Sequence, residues 1–238
     1  MTALSKNARV AGLLYILASA VGVVRLLYIP SVLFVHGDAV ATATNIVTHE
    51  SLFRWGIVST LVSAALWLFV PLALYRLLKG VDQGLAVLMV ILGSLMQVPF
   101  FFVNTVTDVG ALLFARGAGY LAVFDQAQRY ALARLLLDLH HQLDLANFIF
   151  AGLWLFPFGL LVYRSRFLPR LLGVWLMLEC PAWLAFSLTG FLLPGHEGRV
   201  FNLSQPLMFA EVATMLWLLI MGARQKVSAG QAPAPATA

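Results

Sequence analysis

Six long apolar runs, separated by shorter polar stretches, dominate the chain. They are Val10–Ile29, broken only by Arg25; Trp55–Tyr75, without a charge; and Leu85–Leu113, broken only by Asp108. Leu145–Tyr163, without a charge, Leu171–Leu193, broken only by Glu179, and Gln205–Gly222, broken only by Glu211, complete the set. A helix of about 20 apolar residues crosses a hydrocarbon core of about 30 Å, so each run predicts a spanning helix. The third run exceeds one crossing, which predicts a tilt, a kink at Pro99 or an extension beyond the bilayer.

Six crossings bring both chain ends to one side. Lys6, Arg9, Arg76, Lys79, Arg164, Arg166, Arg170, Arg224 and Lys226 share that side, against Arg54, Arg116, Arg129, Arg134 and Arg199 on the other. Nine basic residues against five predict cytoplasmic termini by the positive-inside rule. The short connections around Lys79–Gln83 and Arg164–Arg170 predict antiparallel hairpins. Two outer connections are long: Ser31–Arg54, with Asp38 as a helix cap, and Arg116–Asp144, with Phe124-Asp125-Gln126 opening a helical run. Each predicts a short amphipathic helix at the outer surface. The fold class is thus all-α: a polytopic membrane protein of six transmembrane helices in three hairpins, with two short outer amphipathic helices. A single transmembrane domain is expected over residues 1–224. The Ala- and Pro-rich residues 225–238 are expected to be a disordered cytoplasmic tail.

Composition sharpens this reading. Hydrophobic residues make up 61% and charged residues 11%, with a mean hydropathy of +0.91. Soluble domains run near 45–50% apolar and about 25% charged, so a soluble enzyme, a disordered chain and a coiled coil are excluded and the lipid bilayer is the solvent. The net charge of +5 lies at the ends of apolar runs rather than along an aromatic-interleaved stripe, so no nucleic-acid partner is expected. Cys180 is the single cysteine and reads as a small hydrophobe. Lys6, Arg9 and Ala18-Ser19-Ala20 imitate a signal peptide, but the apolar run continues to Val24 and beyond Arg25, so the segment reads as an uncleaved span. A weak repeat, Leu66-Trp67-Leu68-Phe69 against Leu153-Trp154-Leu155-Phe156 with a fainter copy at Leu216-Trp217, is read as the common vocabulary of spans.

Charges within a bilayer cost at least about 2.5–3.5 kcal/mol each, so they pair or line a cavity. Helical rise from the cytoplasmic ends of the apolar runs puts Glu179 about 12 Å deep, Glu211 about 18 Å and Arg25 about 22 Å. These depths predict an Arg25–Glu211 pair with Glu179 close by, serving either as a structural ion pair or as a proton or solute site. A second cluster, Asp138, His140, His141, Asp144 and Asn147, stands at the outer end of the fourth run, with Asp108 at about the same level. His140, Asp144 and Asn147 share a helical face. Imidazoles and carboxylates bind zinc when three or four converge, and His140, His141, Asp144 and Asp108 are the set that could do so. There is no HExxH or CxxC, and the plainer reading is a polar helix end, with Arg134 and Asp138 as a surface pair. No phosphate loop, serine elbow or dinucleotide fingerprint is present.

Asn7-Ala8-Arg9-Val10-Ala11-Gly12-Leu13-Leu14-Tyr15, Glu50-Ser51-Leu52-Phe53-Arg54, Leu74-Tyr75-Arg76-Leu77-Leu78-Lys79 and Val162-Tyr163-Arg164-Ser165-Arg166-Phe167-Leu168-Pro169-Arg170-Leu171-Leu172-Gly173 carry a resemblance. Over about residues 6–224 the chain resembles the bacterial membrane family catalogued as domain of unknown function 4386. The resemblance implies a multi-pass protein of the bacterial cytoplasmic membrane, with no established activity. It also implies a histidine at the position of His140 and a second where this chain has Trp154, so this member lacks one imidazole of any metal set. Three functions are open at this point. The favoured one is binding or transport of a small solute or lipid through Arg25, Glu179 and Glu211, with Asp108 at the outer entrance and no cofactor. The others are a zinc-dependent membrane hydrolase using the outer His/Asp set, and a non-catalytic sensor or assembly protein. Ligand and oligomeric state are not legible.

Overall fold

A computed structural model of the chain describes residues 3–223. Every regular element among them is helical. Six helices are long and apolar enough to cross a membrane. We label these α1 (Ala3–Leu33), α3 (Glu50–Leu78), α4 (Gln83–Arg116), α5 (Gln126–Ser165), α6 (Arg170–Leu192) and α7 (Glu197–Ile220), with α2 (Ala39–Thr48) as a short helix between the first two. The expected tail over 225–238 lies outside the described residues, as do Arg224 and Lys226.

Side chains fix where the helices begin. Asp38 starts α2 by accepting a hydrogen bond from the Ala41 amide at 2.8 Å, and Asp82 starts α4 by accepting from the Leu85 amide at 3.1 Å. Asp125 and Gln128 form a reciprocal capping box at the head of α5. From Gln126 to Ala151 neither Gly nor Pro occurs, so nothing stops the helix before it enters the membrane. The second expected outer helix is therefore not a separate element but the leading part of α5. At 40 residues that helix is about 60 Å long, twice a hydrocarbon core.

The long third run is interrupted ahead of Pro99. A π turn spans Ile91–Leu95, and the helix resumes at Val98 with Pro99 in its first turn. Proline has no amide hydrogen to donate back along the helix, and in lipid any carbonyl so freed needs another donor. Within the π turn itself side chains add donors: the Trp67 indole donates to the Gly93 carbonyl at 2.7 Å, and the Gln97 side-chain amide donates to the Leu92 carbonyl at 3.3 Å.

Successive spans pack on one another and α7 returns to α1, so the six form a ring around a shared interior. The contacts of α5 with α6 are as extensive as those inside the expected hairpins, and no hairpin stands apart. Small residues permit this closeness, as is usual between helices in lipid. A Cβ on Gly159 would stand 2.6 Å from the Gly173 carbonyl oxygen, and a Cβ on Gly173 would stand 2.6 Å from that of Gly159. Between α7 and α1, a Cβ on Gly12 would meet the Leu219 nitrogen at 2.5 Å. At the centre, Tyr15 packs against Trp67 and Trp154 with ring centroids 5.5 and 5.8 Å away, and the two indoles meet edge to face at 5.7 Å. The two tryptophans of the weak repeat thus share one aromatic core.

Candidate functional site

Arg25 sits in a π turn of α1, Val24–Tyr28, and its side chain is directed into the ring. Its Nε donates to Asp108 Oδ2 at 2.7 Å and its Nη2 to Asp108 Oδ1 at 2.5 Å, a two-pronged contact that fixes both groups. The guanidinium also faces Phe34 and Phe53, with 5.5 and 6.0 Å to the ring centroids. On α5, His140 Nδ1 lies 3.0 Å from Asp108 Oδ1, and His140 Nε2 lies 3.4 Å from Asp144 Oδ2. Asn104 on α4 donates to Asp144 Oδ1 at 2.6 Å. Exposure is 6% for Arg25, 0% for Asp108 and 6% for His140, so α1, α4 and α5 are tied by a charge network shielded from solvent.

The expected Arg25–Glu211 pair does not form. Arg25 and Asp108 each stand eight residues before the far ends of their helices, Leu33 and Arg116, which puts both about 12 Å from those ends. Glu179 and Glu211 stand thirteen and fourteen residues from the far ends of theirs, Leu192 and Glu197, about 20 Å down. Depths counted from the ends of apolar runs misplace these groups because the helices overshoot the runs unequally: α7 begins at Glu197, not Gln205. In the deeper layer, Glu211 Oε1 accepts the Tyr15 hydroxyl. Glu179 accepts the Trp183 indole on Oε1 at 3.1 Å and the Glu211 amide on Oε2 at 3.1 Å. Among the described residues neither glutamate has a basic nitrogen within ion-pair distance.

The outer cluster divides in the same way. Asp108, His140 and Asp144 belong to the buried network, and Asn147 is buried beside it. Asp138 pairs instead with Arg134 at 2.8 Å, and His141, half exposed, faces Glu197 at 3.5 Å. The metal set His140, His141, Asp144 and Asp108 is thus not brought together. Among the described residues no group of three or more His, Cys, Asp or Glu is placed to hold a metal ion, and the Arg25 guanidinium already occupies the carboxylate edge of Asp108.

Two cavities meet at this network. An outer one of about 600 Å³ lies among α1, α5 and the start of α7, and carries His36, Asp138, His141 and Glu197 on its walls. An inner chamber of about 250 Å³ is walled by Trp67, Trp154, Trp183, Phe101 and Phe148, with Glu211 among its polar residues. Arg25, Leu26, His140 and Asp144 line both. Asn104 and Asn147 also line the chamber, are 2% and 6% exposed, and have side-chain oxygens without a hydrogen-bond partner among the described residues.

Several of these residues escaped the sequence reading although a signal existed. Gln97, Asn104 and Asp108 recur at i, i+7 and i+11, a polar stripe on one face of an otherwise apolar helix. Tyr15, Gly22 and Arg25 make a similar stripe on α1, with Ala18 between them. Trp183 follows Glu179 at i+4, the spacing at which a side-chain pair forms on a helix.

Six membrane-spanning helices that enclose charged and polar side chains define a polytopic integral membrane protein. Within that class the chain belongs to the family described as domain of unknown function (DUF4386), whose model matches residues 10–222. No curated protein and no solved structure matches the chain.

Proposed function

We propose that this protein binds a small solute in the inner chamber and admits it from the face opposite the chain ends, past Arg25, Leu26, His140 and Asp144. One observation carries the reading: the outer cavity and the chamber have these four lining residues in common. A buried polar chamber in a membrane bundle is costly unless it is used, and two orphaned amide oxygens call for a hydrogen-bond donor from outside the protein. Arg25, Leu26, His140 and Asp144 form the threshold, with Asp108 behind Arg25; Glu211, with Glu179 behind it, forms the floor. The membrane is a bacterial cytoplasmic one in this proposal, with both termini inside and the outer cavity facing out, in keeping with the excess of basic residues on the terminal side.

Thiol access tests the path. In a Cys180→Ser background, Ala151→Cys puts one thiol on the chamber wall. Small membrane-impermeant methanethiosulfonates, one bearing ethyltrimethylammonium and one ethylsulfonate, are added to intact cells. At least one is expected to label Cys at 151, and Leu26→Trp is expected to slow it tenfold or more by filling the threshold. Failure of both reagents to label, or a rate indifferent to Leu26→Trp, would sink the proposal.

A further inference from the structure

We infer that the solute class is an arylalkylammonium ion: a protonated amine on a small aromatic body. This rests on the chamber being a solute site, and it adds the charge and shape of what enters. Three features of the wall converge. The apolar surface is aromatic, with Trp67, Trp154, Trp183, Phe101 and Phe148 on the wall; such rings pack on a flat ring, and their faces attract a cation.

The charge balance gives the sign. Of the cationic side chains on the wall, Arg25 has its guanidinium committed to Asp108, and His140 lies between Asp108 and Asp144. The lining carboxyls are Asp144 and Glu211. Asp144 is met by Asn104 and His140, whereas Glu211 has only the Tyr15 hydroxyl and no basic nitrogen within ion-pair distance among the described residues. The chamber therefore offers a carboxyl whose counter-charge the helices do not provide, and an anion would meet no free cation there.

The hydrogen bonds give the kind of cation. The side-chain oxygens of Asn104 and Asn147 are acceptors without donors, on residues at least nine-tenths buried. An ammonium with N–H groups can donate to such oxygens, as well as pair with a carboxyl, whereas a quaternary ammonium has no N–H to give them.

The probe is phenethylammonium, titrated calorimetrically into the full chain in lipid nanodiscs at neutral pH. Saturable one-to-one binding is expected. The comparison ligands are 2-phenylethanol, neutral and of the same shape, 3-phenylpropanoate, an anion, and trimethyl(2-phenylethyl)ammonium, which lacks N–H. Each is expected to bind at least tenfold more weakly. Glu211→Gln retains an acceptor for Tyr15 and removes the ionisable carboxyl, so the variant is expected to fold, to keep its chamber thiol labelling, and to lose the preference for the amine over the alcohol. Asn147→Leu is expected to narrow the gap between phenethylammonium and its trimethyl analogue. Equal or stronger binding of the alcohol or the anion, or an amine preference that survives Glu211→Gln, would overturn the assignment. So would no binding of phenethylammonium to a protein whose chamber thiol labels normally. That last result leaves the solute path standing, whereas absent labelling would remove the path itself.

Discussion

Removing Asp108 isolates a guanidinium inside the bundle, and the consequence can be worked from the geometry. Arg25 is 6% exposed, and its carboxylate partner is held by two hydrogen bonds of 2.7 and 2.5 Å. Taking one member from a buried ion pair costs about 3–5 kcal/mol, because the survivor stays desolvated without compensation. Replacing both by apolar residues of similar size is about neutral. Asp108→Leu leaves Arg25 with His140 Nδ1 at 3.4 Å and the rings of Phe34 and Phe53, none of which is an anion. Arg25→Leu leaves Asp108 with His140 at 3.0 Å, a titratable donor that can take over as partner. Asp108→Leu should therefore be the more damaging single change, toward 5 kcal/mol, and Arg25→Leu the milder, toward about 3 kcal/mol. At roughly 2–4 °C per kcal/mol for a chain of this size, the singles lower the midpoint by roughly 6–20 °C, and the double variant returns to within about 4 °C of the parent. Cys180, the single thiol and buried, gives the assay: its reaction with a thiol-activated fluorophore on heating in detergent reports opening of the bundle. Additive losses in the double variant, or equal losses in the two singles, would refute the network as drawn.

Other outcomes follow from close packing and from the broken helix. Gly173→Val and Gly12→Val are each expected to cost about 1–3 kcal/mol or more, since their Cβ atoms would lie 2.6 Å or less from backbone atoms of the neighbouring segment. Gly198→Ala, with open space around it, should leave the same thermal midpoint unchanged. Trp67→Phe keeps an aromatic ring but removes the donor to the Gly93 carbonyl, and should cost about 1–3 kcal/mol by the same thermal midpoint. A phosphatase reporter fused after residue 223 should be inactive, and the same reporter inserted after Gly37 should be active; the reverse pattern would invert the proposed orientation.

Much of the architecture was legible because the solvent is lipid. A backbone in hydrocarbon has to satisfy its own hydrogen bonds, so an apolar run of spanning length has one structural outcome, and six runs gave six helices. Single charges inside such runs stood out, and Arg25, Asp108, Glu179 and Glu211 were marked as buried polar groups on that ground alone. Helix ends were less legible. The head of α5 reads as a surface helix when taken in isolation, and only the absence of a breaker through Ala151 joins it to the span.

The pairing of those charges was decided elsewhere. Sequence gives the order of residues along a helix and, through the 1.5 Å rise, their relative depth, but not how far each helix overshoots the membrane or how it is rotated about its axis. Those two quantities come from contacts between helices: Gly159 against Gly173, Gly12 against Leu219, Trp67 against the π turn of α4. They bring Asp108 rather than Glu211 to Arg25, seat Tyr15 on Glu211, and turn Asn104 and Asn147 inward. The one-dimensional chain thus determined which groups must be hidden from lipid, because burial in oil is a property of each residue; which groups meet was left to packing, because distance between helices is a property of the whole ring.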